Sequence, residues 1–196
     1  ISKSIDTKPY NAEKLKGYLP ELRGMTVKKP EEFLPRMRKI FSECGIAFVL
    51  LPHLKNSGVN GAVKWVTEDR VVLAMNNRGL DADKFWFSLF HEIKHVLQQK
   101  IKTVFISSTI EEMMDINNTL EIEADKFATN YLISPADYRR LAPSRYISDD
   151  EIVEFARTIG IHPGIVAGRL QHEGIIAQNR CSKLKEKYVI DIKHTA

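Results

Sequence analysis

The chain has 196 residues, 43% hydrophobic, 28% charged and 9% aromatic, the proportions of a soluble globular protein rather than a disordered or fibrous one. Its longest apolar run, Ile46–Leu51, falls far short of the roughly 20 residues that cross a bilayer, and no basic-then-apolar leader opens the chain, so neither a membrane span nor a secretory signal is expected. Two cysteines, Cys44 and Cys181, cannot build a disulfide framework or a cysteine-rich zinc ribbon; such sparse use fits a reducing cytoplasm, and both are read as structural.

The formal net charge is +4, but it is unevenly placed. Residues 1–41 carry ten basic and five acidic groups and residues 180–196 five and two, which leaves the middle of the chain acidic. The basic ends, 183–187 among them, read as solvated surface, and nucleic-acid binding by this chain is disfavoured. Ile1 in place of Met points to a fragment or a processed chain, with something missing upstream.

Residues 1–30 form a polar lead-in broken by Pro9, Pro20, Gly24 and Pro30, with one short helix predicted over 11–18. Residues 31–44 read as a helix, with Phe33, Leu34, Met37, Ile40 and Phe41 at helical spacing and Gly45 as its stop. Three strands follow, at 46–51, 62–66 and 70–75. A tight turn at 67–69 separates the last two, and the expectation is a small antiparallel sheet.

From Asp81 the period changes to 3.6, with Asp81 or Asp83 available as the N-cap. Residues 104–107 could form an edge strand serving as a substrate shelf or gate, followed by a short helix over 109–114. Later helix starts are marked by Ser134 with Pro135 and Asp137, and by Ser148 with Glu151. Strands first and helices afterwards make an α+β layout, a small sheet packed on a helical half.

His91-Glu92-Ile93-Lys94-His95 supplies the chemistry. Residues four apart in a helix differ by about 40° and rise about 6 Å, so both imidazoles project from one face and can share a metal. Glu92 beside them can take a proton from a metal-bound water without completing the coordination shell. Trp86, Phe90, Ile93 and Leu97 form an apolar stripe roughly opposite the histidines, while Phe85, Phe87 and Ser88 suggest a helix covered on both sides.

Downstream, Glu121-Ile122-Glu123-Ala124-Asp125 begins a second predicted helix that runs to about Leu132. Glu121 and Asp125 share a face, and Ala124 and Ala128 are small enough for another helix to approach. Glu121 would complete a His, His, Glu triad with one open position, and Asp125 would fix a ligand imidazole's tautomer. Glu123 lies about 200° round the helix from Glu121. Being acidic too, it leaves the choice of third ligand open.

With Phe90 before the first motif and Lys126-Phe127-Ala128 and Leu132-Ile133-Ser134-Pro135 after the second, residues 31–141 resemble the ImmA/IrrE-type metallopeptidases, intracellular zincins of bacteria, phages and mobile elements. That resemblance implies a zincin-like fold, zinc on His91, His95 and Glu121, Glu92 as general base, and cleavage of a partner repressor. It also implies fusions in which an N-terminal DNA-binding helix-turn-helix, absent here, would make nucleic-acid contact, and in which a toxin is a partner. The rival expectation is a non-enzymatic sensor or partner-binding domain of an antitoxin-like regulator.

Residues 142–180 read as a helical hairpin closing the domain, turning at Gly160-Ile161-His162-Pro163, and 181–196 as a basic tail. Only Arg157 and Arg169 supply positive charge over 149–173, so the hairpin is read as packing rather than DNA contact. His172 is the candidate transition-state donor, with His162, Tyr131 and Arg169 as others; His53 is read as a strand-end residue.

Overall fold

The computed structural model describes residues 6–51, 60–76, 81–98, 110–141, 147–188 and 190, the side chains of 110–113 excepted. The Asn11 side chain accepts the Lys14 N–H and starts α1 (Ala12–Gly24), which continues well past the predicted end and through Pro20. Leu19 and Leu22, buried on either side of that proline, offset the backbone hydrogen bond it forfeits. With Leu15 and Met25 they belong to the hydrophobic core, while Val27 stays exposed.

Helix α2 (Pro30–Glu43) buries Phe33, Met37, Ile40 and Phe41 and ends at Gly45, whose φ of 80° is the left-handed conformation such a stop needs. A Cβ there would stand 2.3 Å from the Tyr10 Cα, so the position is doubly restricted to glycine.

Strands β1 (Ile46–Leu51), β2 (Gly61–Thr67) and β3 (Arg70–Asn76) form one sheet in the order β1-β3-β2. The β2–β3 pair is the expected antiparallel hairpin, but β1 and β3 run parallel, from Ile46 opposite Val71 to Leu51 opposite Asn76. The all-antiparallel expectation is therefore corrected to a mixed sheet. Val71, Leu73 and Met75 of β3 are buried, whereas in β2 Val63 and Trp65 are only partly buried and the residues alternating with them are exposed. Burial is greatest when the more apolar strand of the hairpin takes the centre, and that strand runs parallel to β1.

Helix α3 (Ala82–Leu97) lies on this sheet and against α4 (Ile110–Leu132) and α7 (Pro163–His172). Phe85, Trp86, Leu89, Phe90, Ile93 and Val96 are all buried, as expected of a helix covered on more than one side. Trp86 Nε1 donates to the Tyr188 hydroxyl at 2.8 Å, and Phe33 and Phe85 pack around the same tyrosine. The C-terminal segment thus returns to the start of α3, where the Ala82 N–H also bonds the Glu186 carbonyl at 2.8 Å.

The short helix predicted at 109–114 and the helix predicted from Glu121 are one element, α4, so Glu121 sits in mid-helix rather than at a start. Asn117, Asn118 and Thr119 are weak helix formers that disguise the continuity, while half-buried Ile116 and Leu120 carry the periodicity through it. The shelf predicted at 104–107 lies outside the described residues. Helix α5 (Pro135–Leu141) starts from Ser134, and α6 (Asp149–Ile159) from a Ser148–Glu151 capping box. Gly160, at φ 68°, turns the chain into α7 as predicted, and the hairpin packs on α3. Among the described residues, no helix is long and apolar enough to cross a membrane.

Candidate metal centre

Fully buried Ala124 and Ala128 let α4 lie close along α3, and Phe90 stacks on Tyr131 across the same interface at 5.3 Å. This brings Glu121 to the face that carries the histidines. His91 Nε2 and His95 Nε2 are 2.9 Å apart, and the two Glu121 oxygens stand 3.2 Å from the first and 3.3 Å from the second. His91, His95 and Glu121 together can hold a metal ion.

The outer nitrogens of the two rings are engaged. His91 Nδ1 is 2.8 Å from an Asp125 carboxylate oxygen, which only accepts, so Nδ1 carries the proton. His95 Nδ1 is 3.0 Å from Gln98 Oε1. The Gln98 amide is oriented from its other end, since its Nε2 donates to Glu123 at 3.1 Å and more weakly to the Leu120 carbonyl at 3.4 Å. Held in this way, both rings turn Nε2 toward each other and toward the Glu121 carboxylate, the arrangement in which one metal ion can be shared by all three.

Glu123 takes another direction. Its carboxylate lies 3.1 Å from Lys94 Nζ, and the hydrogen bonds from Lys94 and Gln98 hold its pKa below the usual carboxylate range. Of the two acidic residues left open by the sequence, Glu121 is the one that faces the imidazoles.

Glu92 is buried, 8% exposed, between α3 and the first residue of β2. Desolvation pushes its pKa up to about 7; the neighbouring His91 opposes this and Glu121 adds to it. One turn before His91, the Phe87 ring lies 6.4 Å from the His91 ring and forms part of the wall of a cavity of about 490 Å³. Ser88, Thr129, Ile133, Gly168 and exposed His172 also line it.

The other candidate donors have contacts of their own, and Arg169 lines the same cavity as His172. His162 caps α7, its Nδ1 accepting the Gly164 N–H at 3.0 Å and its Nε2 lying 3.4 Å from Glu186. Arg169 bonds the Ile133 carbonyl at 2.8 Å and lies over the Tyr138 ring. Tyr131 stacks between Phe90 and Phe127. His53 is outside the described residues.

Sequence reasoning missed Gln98 and Gly61. Gln98 had a signal, lying three residues beyond His95 on the same helix face. Gly61 had none, because its contact with Glu92 depends on how the sheet docks. No protein family matches the chain, and no curated protein matches it significantly.

Proposed function

We propose that this chain is a zinc-dependent metallopeptidase domain that cleaves a regulatory protein of repressor or antitoxin type, the activity implied by its resemblance to the ImmA/IrrE-type enzymes. The observation that carries the reading is the convergence of His91 Nε2, His95 Nε2 and the Glu121 carboxylate beside buried Glu92. Ligand atoms about 2.0–2.1 Å from a tetrahedral zinc lie about 3.3 Å apart; the two Nε2 atoms are 2.9 Å apart, each has a different Glu121 oxygen at 3.2 or 3.3 Å, and one ligand atom from each residue lies within 4.8 Å of the others. Two imidazoles and one carboxylate are a catalytic donor set, with the fourth position left for water or substrate.

Zinc held there supplies Lewis acidity, polarising a carbonyl and acidifying water toward neutral pH. Asp125, which only accepts, keeps the His91 proton on Nδ1 and leaves its Nε2 available to the metal. Glu92 takes the proton of the attacking water on its carboxylate and passes it to the leaving amine. β2, an edge strand of the sheet among the described residues, begins beside Glu92 and offers backbone groups to an extended peptide. The cavity next to Phe87 would receive a substrate side chain, with His172 on its wall as the candidate oxyanion donor.

Metal content by mass spectrometry of protein purified without chelators, beside His91→Ala and Glu92→Gln variants, tests the metal. New N-termini generated in a proteome-derived peptide library test the chemistry. One zinc per chain, lost in H91A and kept in E92Q, with cuts that vanish in E92Q, is the expected result. Absence of metal, or cuts that persist in E92Q, would overturn it. Full stability loss on metal removal with Glu92 dispensable would make the zinc structural instead.

A further inference from the structure

We propose that Gln98 is a positioning residue that keeps the His95 proton off the metal-binding nitrogen; this rests on the metal centre proposed above. Two acceptors face His95 Nε2 and would draw a proton onto it: His91 Nε2 at 2.9 Å, whose own proton sits on the Asp125 side, and Glu121 Oε1 at 3.3 Å. A ring protonated there has no lone pair left for a metal. Gln98 Oε1, 3.0 Å from Nδ1, supplies the competing acceptor on the far side of the ring and selects the tautomer that binds.

An amide could equally present its NH₂ to His95, which would select the wrong tautomer. Three features set its direction. Its Nε2 donates to Glu123 at 3.1 Å, Glu123 is itself held by Lys94 at 3.1 Å, and the Gln98 backbone N–H bonds the Lys94 carbonyl at 2.9 Å at the end of α3. The chain Lys94–Glu123–Gln98–His95 therefore crosses from α3 to α4 and back. In it Glu123, which does not face the metal site, acts on His95 only through the amide. His91 needs no such relay, because the Asp125 carboxylate can only accept.

The test uses the whole chain as wild type, Gln98→Leu, Gln98→Asn and the exchange Q98E/E123Q. Asparagine keeps the amide but is one methylene too short to reach the ring; the exchange restores an acceptor to His95 and an amide donor between positions 98 and 123. Long-range ¹H–¹⁵N correlation on metal-free protein reads the His95 tautomer, competition with a chromophoric chelator reads Zn²⁺ affinity, and far-ultraviolet circular dichroism checks the fold.

Q98L and Q98N are expected to move the proton to Nε2 and to weaken Zn²⁺ binding about 10–100-fold with the fold intact, the range typical of losing a partner of a ligand histidine. Q98E/E123Q is expected to recover both. A wild-type tautomer in either single variant overturns the proposal, as does unchanged zinc affinity or an exchange variant that recovers neither readout. If Q98L fails to fold, Q98N decides alone. Wild-type protein that binds no zinc would defeat the metal-centre reading, while the tautomer of metal-free Q98N would still decide the role of Gln98.

Discussion

Gly61 and Glu92 touch so closely that a Cβ on residue 61 would stand 2.5 Å from the Glu92 Cγ and 2.8 Å from its Oε1. The start of β2 can pass the Glu92 carboxylate only because that residue has no side chain. Gly61→Ala is expected to displace Glu92 and, since misplacement by about 1 Å costs on the order of 100-fold, to lower cleavage by about that factor. Zinc content is expected to stay at the wild-type level, and overpacking to cost about 1–3 kcal/mol in urea unfolding. Full activity in G61A would mean that Glu92 works from some other position.

The two acidic residues of the second motif are expected to separate cleanly. Glu121→Ala removes one of the three proposed ligands and is expected to leave the purified protein without zinc. Glu123→Gln keeps an oxygen acceptor toward the Gln98 amide and is expected to weaken zinc binding by no more than about tenfold. Inductively coupled plasma mass spectrometry and chelator competition give both answers, and the reverse order would make Glu123 the ligand.

What could be read in advance follows the range of the interactions. His91 and His95, like Glu121 and Asp125, share faces because helix geometry is local, and four residues of spacing suffice to show it. That the two pairs meet was indicated by Ala124 and Ala128. The tight turn at Glu68 and Asp69 likewise announced the hairpin. Which edge of that hairpin meets β1 was not legible, because it depends on the burial of Val71, Leu73 and Met75 against distant helices. The contact between Gly61 and Glu92 was hidden for the same reason. The continuity of α4 was masked by Asn117–Thr119, where local propensity and tertiary packing disagree. Gln98 was visible as a neighbour of His95, but its amide direction depends on Glu123 from another helix.

Arg23 anchors the helix that carries Glu121 and Asp125. Its Nε donates to the Tyr131 and Leu132 carbonyls at 3.0 Å each, at the C-terminal end of α4, and its Nη1 to the Ile159 carbonyl at 2.8 Å, at the end of α6. Arg23→Met keeps much of the packing but removes the fork, leaving these partly buried carbonyls without it. The expected loss is about 3 kcal/mol in urea unfolding, with Arg23→Lys recovering only part because an ammonium cannot reproduce the planar fork. Equal stability of R23M and wild type would show that water replaces the arginine without cost.

His162 is expected to make stability fall on acidification. Burial lowers its pKa from the ordinary 6.5, and the attraction of Glu186, which works the other way, does not cancel this. The folded state therefore holds the ring neutral, with Nδ1 accepting the Gly164 N–H at the start of α7. In the window below pH 6.5 the unfolded chain binds more protons than the folded one, so its contribution to stability is intact above that pH and declines as pH falls toward the folded-state pKa. His162→Asn retains a capping oxygen without a titrating ring. Replacing the cap by alanine is expected to cost about 1 kcal/mol at neutral pH. Urea unfolding from about pH 7 down to pH 5 should show wild type losing stability relative to H162N. The opposite trend would mean that the Glu186 carboxylate, rather than burial, governs the ring.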